Sequence, residues 1–417
     1  MGKIAWIIPM ILGMGTATSA QETPFKLHGF VLGAVSGRVT GARPPGGNDF
    51  VLGEERLRFE LKGTASEGKA FLTVKGDAFH DAVANKIHGD LREAYAGYAK
   101  GPADLRFGRQ IVTWGVGDLF YVNDIFPKDW ESFFSGRPME YLKLGMDGFR
   151  TQIFSKAIHA DILVVPFFTP DNLPSSERFF FFDPFSTVPN RIETEPETRF
   201  SNIESAIRLY RQVAGSDLSF YFYRGFWRTP SVTADNLTTP TTVTEFFPAL
   251  FVYGSSLQRN LFGGVMSLEG GYYDSRQDNN GDDPVIPNSQ WRFLAGHQRE
   301  FWRDFTAGLQ LYGELMDHYG AHRGALPTGF PTQDRFRGVV SVRLTQWLLY
   351  QTLKLALFAA TSPTDVDYFL QPEIAYRVTD SLGLTVGANI FGGRNETTFF
   401  GQLEKNDNVY LNVRYDF

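Results

Sequence analysis

Apolar residues recur at every second position over short stretches of this chain, and the last ten residues show it most clearly. Val409, Leu411, Val413, Tyr415 and Phe417 alternate with Asn408, Tyr410, Asn412, Arg414 and Asp416. Side chains of a strand point to opposite faces, so one face of this segment suits lipid and the other water. In Glu55-Arg56-Leu57-Arg58-Phe59-Glu60-Leu61 the same period puts Leu57, Phe59 and Leu61 on one face and Arg56, Arg58 and Glu60 on the other. Turning the arginines toward lipid would cost roughly 2–4 kcal/mol each at the bilayer midplane, which fixes them inward. Ile158, Ala160, Ile162 and Val164 alternate with His159 and Asp161. Leu353, Leu355 and Leu357 alternate with Lys354, which is also placed inside.

This pattern predicts strands near 25–38, 49–62, 68–80, 89–99, 103–113, 141–155, 157–168, 200–213, 217–228, 246–258, 261–274, 289–300, 303–318, 334–345, 349–361, 366–377, 382–391 and 406–417. Their connections are alternately short and long. Tight turns on one side and long loops on the other characterise outer-membrane barrels. The fold class expected is therefore all-β, a transmembrane antiparallel barrel of about eighteen strands with short periplasmic turns and long extracellular loops. Only one outward connection, Ser362–Thr364, is expected to be very short. No linker interrupts the turn signals, so residues 21–417 form one barrel, and no fixed-period repeat supports a propeller or solenoid. Tyr98, Trp227, Tyr272, Tyr273, Trp291, Trp302 and Trp347 lie near strand ends and are candidates for the aromatic girdles.

The N-terminus changes the picture in one respect. Lys3, the apolar run Ile4–Met14 and the tail Thr16-Ala17-Thr18-Ser19-Ala20 are expected to form a signal peptide over residues 1–20. That run, interrupted by Pro9, is too short for a spanning helix, which needs about twenty apolar residues. With Lys3 removed the basic residues number 39 against 46 acidic, a net charge of −7 that argues against nucleic acid as a partner. Cysteine is absent, so no disulfide, lipid-modified cysteine or cysteine-based metal site is available. Mean hydropathy is only −0.20, and beyond the leader no apolar run reaches the eighteen residues of a membrane helix.

The stretch Leu105-Arg106-Phe107-Gly108-Arg109-Gln110-Ile111-Val112-Thr113-Trp114-Gly115, preceded by Leu91-Arg92-Glu93-Ala94-Tyr95, carries a resemblance. Residues 89–155 resemble a poorly characterised family of proteobacterial outer-membrane barrels with a Gly-Arg-Gln strand ending in Trp-Gly, and more distantly the alginate-exporter-like barrels. The resemblance implies a porin-like transport role without naming a solute.

Strict alternation breaks in this stretch: with Leu105 and Phe107 facing lipid, Arg109 would face lipid too. A bulge at Gly108 would turn Arg106 and Arg109 inward together and set Arg109 opposite Glu93. The candidate pore lining is therefore Arg56, Arg58, Glu60, Glu93, Arg106 and Arg109, with the arginines forming a basic strip. The long connection Trp114–Glu140 carries Asp118, Asp124, Asp129 and Glu131 among many aromatics, and its position as third outward loop is that of a porin constriction loop. Its carboxylates are expected to face the arginines. Tyr415 and Phe417 end the closing strand as the assembly signal.

Catalytic motifs are missing. There is neither His-Glu-x-x-His nor Gly-x-Ser-x-Gly, and His318 and His322, four apart, stand beside Gly320 and Gly324, which suggest loop rather than a metal-binding helix. Asp278–Asp283 lacks the pattern of a calcium-binding EF-hand loop and reads as an exposed turn. Phe179–Phe182 and Phe185 make a second long loop unusually aromatic. The function expected is passive passage of small hydrophilic, including anionic, solutes across the outer membrane, with no cofactor and no metal. Transport of a less polar or aromatic compound is the alternative, and a lipid-modifying enzyme a more distant one. Expected partners are membrane lipid, lipopolysaccharide, small solutes and the assembly machinery. A homo-oligomer is compatible with all of this.

Overall fold

The computed structural model describes residues 25–44 and 47–417; the expected signal peptide at 1–20 lies outside the described residues. Eighteen strands form one antiparallel sheet that closes on itself: β1 (Lys26–Arg38), β2 (Phe50–Ala65), β3 (Ala70–Asp81), β4 (Lys86–Lys100), β5 (Ala103–Gln110), β6 (Met146–Ile153), β7 (His159–Val165), β9 (Glu204–Val213), β10 (Ser216–Phe226), β13 (Ala249–Leu261), β14 (Gly264–Ser275), β15 (Gln290–Trp302), β16 (Phe305–Met316), β17 (Phe336–Leu348), β18 (Leu353–Ser362), β19 (Asp367–Arg377), β20 (Leu382–Gly393) and β21 (Asn408–Asp416). Three further short strands, β8 (Asn190–Thr194), β11 (Ser231–Ala234) and β12 (Thr242–Phe246), make a small sheet between two of the long loops. Each barrel strand pairs with its sequence neighbour, and β1 pairs with both β2 and β21. Closure removes every sheet edge, so no barrel backbone group is left to lipid.

The faces follow the alternation. On β21 the outward Val409, Leu411, Val413, Tyr415 and Phe417 are exposed, whereas Asn408, Tyr410 and Asn412 are buried. Phe417 exchanges backbone hydrogen bonds with Gly29 (3.0 and 2.9 Å) and meets the Phe59 ring edge-on. A Cβ at Gly29 would stand 2.6 Å from the Phe417 ring, so the terminal ring seats only over glycine. Around the outside runs a band of exposed Leu, Val, Phe and Tyr, including Val31, Phe59, Leu105, Phe107, Phe149, Phe220, Phe293, Leu311 and Val386.

Two aspects of the outline differ from expectation. The connection between β3 and β4 contains only residues 82–85, so the long-loop rim has two low points, here and at 363–366. Of the expected girdle, Tyr98, Trp291 and Trp302 are exposed and Tyr272 contacts Trp291, but Trp227 and Tyr273 are buried inside, where Tyr273 Oη donates to Val122 O (2.7 Å). Trp347 shares the inward face with Arg343, its register partner being Lys354. Composition near a strand end does not tell which face a ring takes; the register does.

Candidate functional site

The site is the lumen and the segment 111–145 that crosses it. After β5 the chain turns inside. Trp114 is buried and its indole donates to Asp161 of β7 (3.1 Å). Glu269 of β14 then accepts from the backbone of Val116, of Gly117 (2.8 Å) and of Asn123 (3.0 Å), and from the Asn123 amide (2.9 Å). One carboxylate thus holds both ends of a loop tip. Between them Asp118 reaches Arg343 of β17 with two hydrogen bonds, one of 2.9 Å.

The return path runs along the opposite wall. Helix α1 (Trp130–Ser135) begins at Asp129, which caps it through Ser132 N (2.7 Å) and also accepts from Asn172 (2.9 Å). Phe133 and Phe134 pack on Phe369, and Phe134 also on Phe391. The Phe134 carbonyl accepts from Asn389 (2.9 Å) and Asn408 (3.2 Å), and that of Gly136 from Asn412 (3.0 Å). Arg137 bonds Glu54, and Glu140 bridges Arg58 of β2 (2.6 Å) and Arg414 of β21 (2.7 Å). The loop therefore touches the barrel wall on nearly every side. Its own lysines brace it: Lys128 Nζ donates to the carbonyls of Asp124 (2.9 Å) and Phe126 (2.7 Å), and Lys143 bonds the Asp124 carboxylate. Burial lowers the Lys128 ammonium from its ordinary range, and neighbouring Asp124 opposes the shift.

Two apolar clusters fill the long-loop half of the lumen around this segment. One joins Leu119, Val122, Phe133, Phe134 and Leu142 to the walls of β15–β20 and to Phe179, and the other joins Val112, Trp114 and Phe126 to β6–β14 and Trp227. The short-turn half is different: partly exposed ion pairs line it. They are Lys75–Glu93 (2.9 Å), Arg106–Asp104 (3.0 Å), Lys354–Glu373 (2.7 Å) and Arg414–Asp416 (2.7 Å). A polar vestibule thus meets a packed constriction.

The structure places the predicted residues as follows. Arg56 and Arg58 point inward, but each side chain is only 3% exposed, so they do not form a water-facing strip. Arg56 bonds Glu54 (2.5 Å) and Asp77 (2.7 Å) and lies over the Phe79 and Tyr141 rings. Arg58 bonds Asp77, Glu140 and Tyr141 Oη (3.0 Å). They are buried because Tyr141, from the inward loop, covers them. Glu60 pairs with Lys62 (2.5 Å) and Glu93 with Lys75, not with the arginines. Arg106 lies in the lumen over Phe71 and Tyr95.

Arg109 contradicts the expected bulge at Gly108. Pairing of β5 with β4 and β6 is continuous, and it puts Arg109 opposite Ala94 and Asp147 on the outer face it shares with Phe107. Arg109 bonds Asp147 there (2.8 Å). Gly108 is needed for another reason: its φ is +122°, and a Cβ would stand 2.3 Å from the Ala94 carbonyl. The bulge lies on β4 instead, where the register skips Arg92 between Leu91 and Glu93. Arg92 turns inward and donates to the carbonyls of Glu140 (2.7 Å) and Lys143 (2.8 Å).

The loop acids also do other work than expected. Asp118 faces β17, Asp124 takes the two lysines, Asp129 caps a helix, and Glu131 accepts from Ser175 N (2.8 Å) and pairs with Arg178. The acid that does meet the early arginines is Glu140. Sequence reasoning also missed Glu54 and Glu269, whose buried carboxylates hold the loop, and Asp77, which holds Arg56 and Arg58 beneath it; inward position in an alternating strand was their only signal. The expectation of loop at His318–His322 fails, because residues 319–325 form helix α2 (Tyr319–Ala325). Asp278 is a turn residue whose carboxylate accepts from the backbone of Asn280, Gly281 and Asp283.

No protein-family model matches the chain, and no curated protein matches it. Solved structures do. OccK2 (OpdF) of Pseudomonas aeruginosa, in complex with glucuronate, superposes with a TM-score of 0.58 at 11% identity over 94% of this chain and 98% of that one. OccAB3 of Acinetobacter baumannii gives 0.57 at 11% identity over 94% and 99%, and OccD3 (OpdP) of Pseudomonas aeruginosa 0.56 at 10% over 94% and 91%. The shared feature is the fold, a porin-like eighteen-stranded barrel.

Proposed function

We propose that the protein is a porin-like channel of the Gram-negative outer membrane that passes small hydrophilic solutes, anionic ones among them, without catalysis. One observation carries this reading: the barrel is inverted relative to a soluble one. Its outside is an apolar band, its short-turn lumen is lined with partly hydrated ion pairs of both signs, and a loop anchored on opposite walls narrows the passage between. A soluble barrel of ordinary design would bury the apolar face and expose the charged one. The Occ structures support it as outer-membrane porins of the same fold, and the glucuronate bound to OccK2 is an anionic sugar.

The alternative of an apolar solute keeps only part of its support: Phe179 and Phe185 are buried in loop packing, whereas Phe181 and Phe182 of the same loop are exposed. Planar-bilayer recording of the purified protein tests the proposal: discrete current steps are expected, and a folded, inserted protein that carries no current would refute it. The closing strand, with Tyr415 and Phe417, is proposed to be what the assembly machinery recognises. Deleting Phe417 is expected to lower the yield of heat-modifiable barrel several-fold; unchanged yield would reject that role.

A further inference from the structure

We infer that the outer face of β9–β15, at its short-turn edge, binds the phosphates of anionic phospholipid. Three arginines mark the place. Arg211 precedes the turn at Ala214–Gly215, Arg259 the turn at Phe262–Gly263, and Arg299 the turn at Arg303–Asp304, each by three or four residues. All three lie on strands that run toward the short turns, and each points outward. Arg211 shares its face with exposed Leu209, Arg259 with exposed Tyr253, and Arg299 with exposed Trp291 and Phe293.

Neither a hydrogen bond nor an ion pair to a carboxylate occupies any of the three guanidinium groups among the described residues. That sets them apart from the lumen arginines Arg56, Arg58, Arg106 and Arg343, each of which has an acidic partner. A lone charge on a lipid-facing wall is unfavourable unless it sits at headgroup level. The flanking side chains put it there: Arg299 lies over the Phe301 ring, and Phe301 and Trp302 are both more than half exposed, as rings at a membrane interface are.

Spacing matches a shared anionic surface. Arg259 registers with Met266 and Met266 with His297, so Arg259 and His297 stand two strands apart, about 10 Å at roughly 4.8 Å per strand, with Arg299 next on the same face. A guanidinium presents several donors in a plane and takes phosphate oxygens two at a time. The occupant is phosphatidylglycerol or another anionic phospholipid of the leaflet on the short-turn side.

This inference rests on the proposed membrane location, and the test separates the two. Protein purified in detergent is exposed to phosphatidylglycerol or phosphatidylcholine, and retained lipid is counted by native mass spectrometry. Wild type should keep phosphatidylglycerol in preference to phosphatidylcholine. The variant R211Q/R259Q/R299Q, folded by heat-modifiability, should lose that preference, with affinity falling roughly a hundredfold if each arginine contributes about fivefold, while its bilayer current stays as in wild type. Equal retention of both lipids by wild type, or undiminished preference in the variant, would overturn the inference. Failure to insert into bilayers would instead count against the membrane reading.

Discussion

Replacing Asp77 with asparagine is expected to destabilise the barrel by roughly 3–5 kcal/mol, the cost of breaking a buried charge pair from one side. Its side chain is fully buried and takes one bond from Arg56 and two from Arg58. Three buried guanidinium groups, Arg56, Arg58 and Arg137, share the carboxylates of Glu54, Asp77 and Glu140. Without Asp77 one positive charge is left in excess where water cannot reach it. Asp104→Asn offers the contrast, since its pair with Arg106 is partly hydrated and should contribute only about 0–1 kcal/mol. Loss of the folded, heat-modifiable band on a urea series measures both. Equal midpoints for the two variants would show that burial of the Asp77 network does not matter. The same network alters what neutralising Arg56 and Arg58 should do: the loss of loop anchorage outweighs any shift in ion selectivity, because neither guanidinium meets the aqueous lumen.

The second large effect concerns the inward loop. Replacing residues 117–136 with a short glycine-serine linker should raise the swelling rate of proteoliposomes in oligosaccharides several-fold, and more for larger sugars than for small ones. The segment supplies Leu119, Val122, Phe133 and Phe134 to the cluster that fills the long-loop half, and nothing else described here occupies their volume. The wall groups it bonds, such as Glu269, Asn389 and Arg343, remain in place, so the barrel itself keeps its strand pairing. A folded variant with unchanged uptake at all sugar sizes would place the constriction elsewhere.

Strand number, direction and facing were legible because a period of two, with charges confined to one face, has only one solution beside lipid. The β21 alternation and the inward Lys354 and Arg58 are examples. Burial of the inward side was not legible. What covers Arg58 is Tyr141, brought back to β2 at the end of a loop that leaves the wall three strands away, after β5, and crosses the lumen in between. Nor could the bulge be placed, since Arg92 leaves the alternation to reach two loop carbonyls that no local pattern reveals, whereas Gly108 suggested a bulge by its identity alone. Glycine also misled at α2, where Gly320 and Gly324 sit inside a short helix.

An aqueous path past the inward loop can be tested at one residue, because the chain has no cysteine of its own. Asp118, 39% exposed where it meets Arg343, is changed to cysteine and treated with a charged, membrane-impermeant thiol reagent during single-channel recording. Cysteine at Glu67, in a water-exposed short turn away from the inward loop, serves as control. Modification at 118 should lower the current step while modification at 67 leaves it unchanged. A current unaffected by complete labelling at 118, verified by mass, would contradict it.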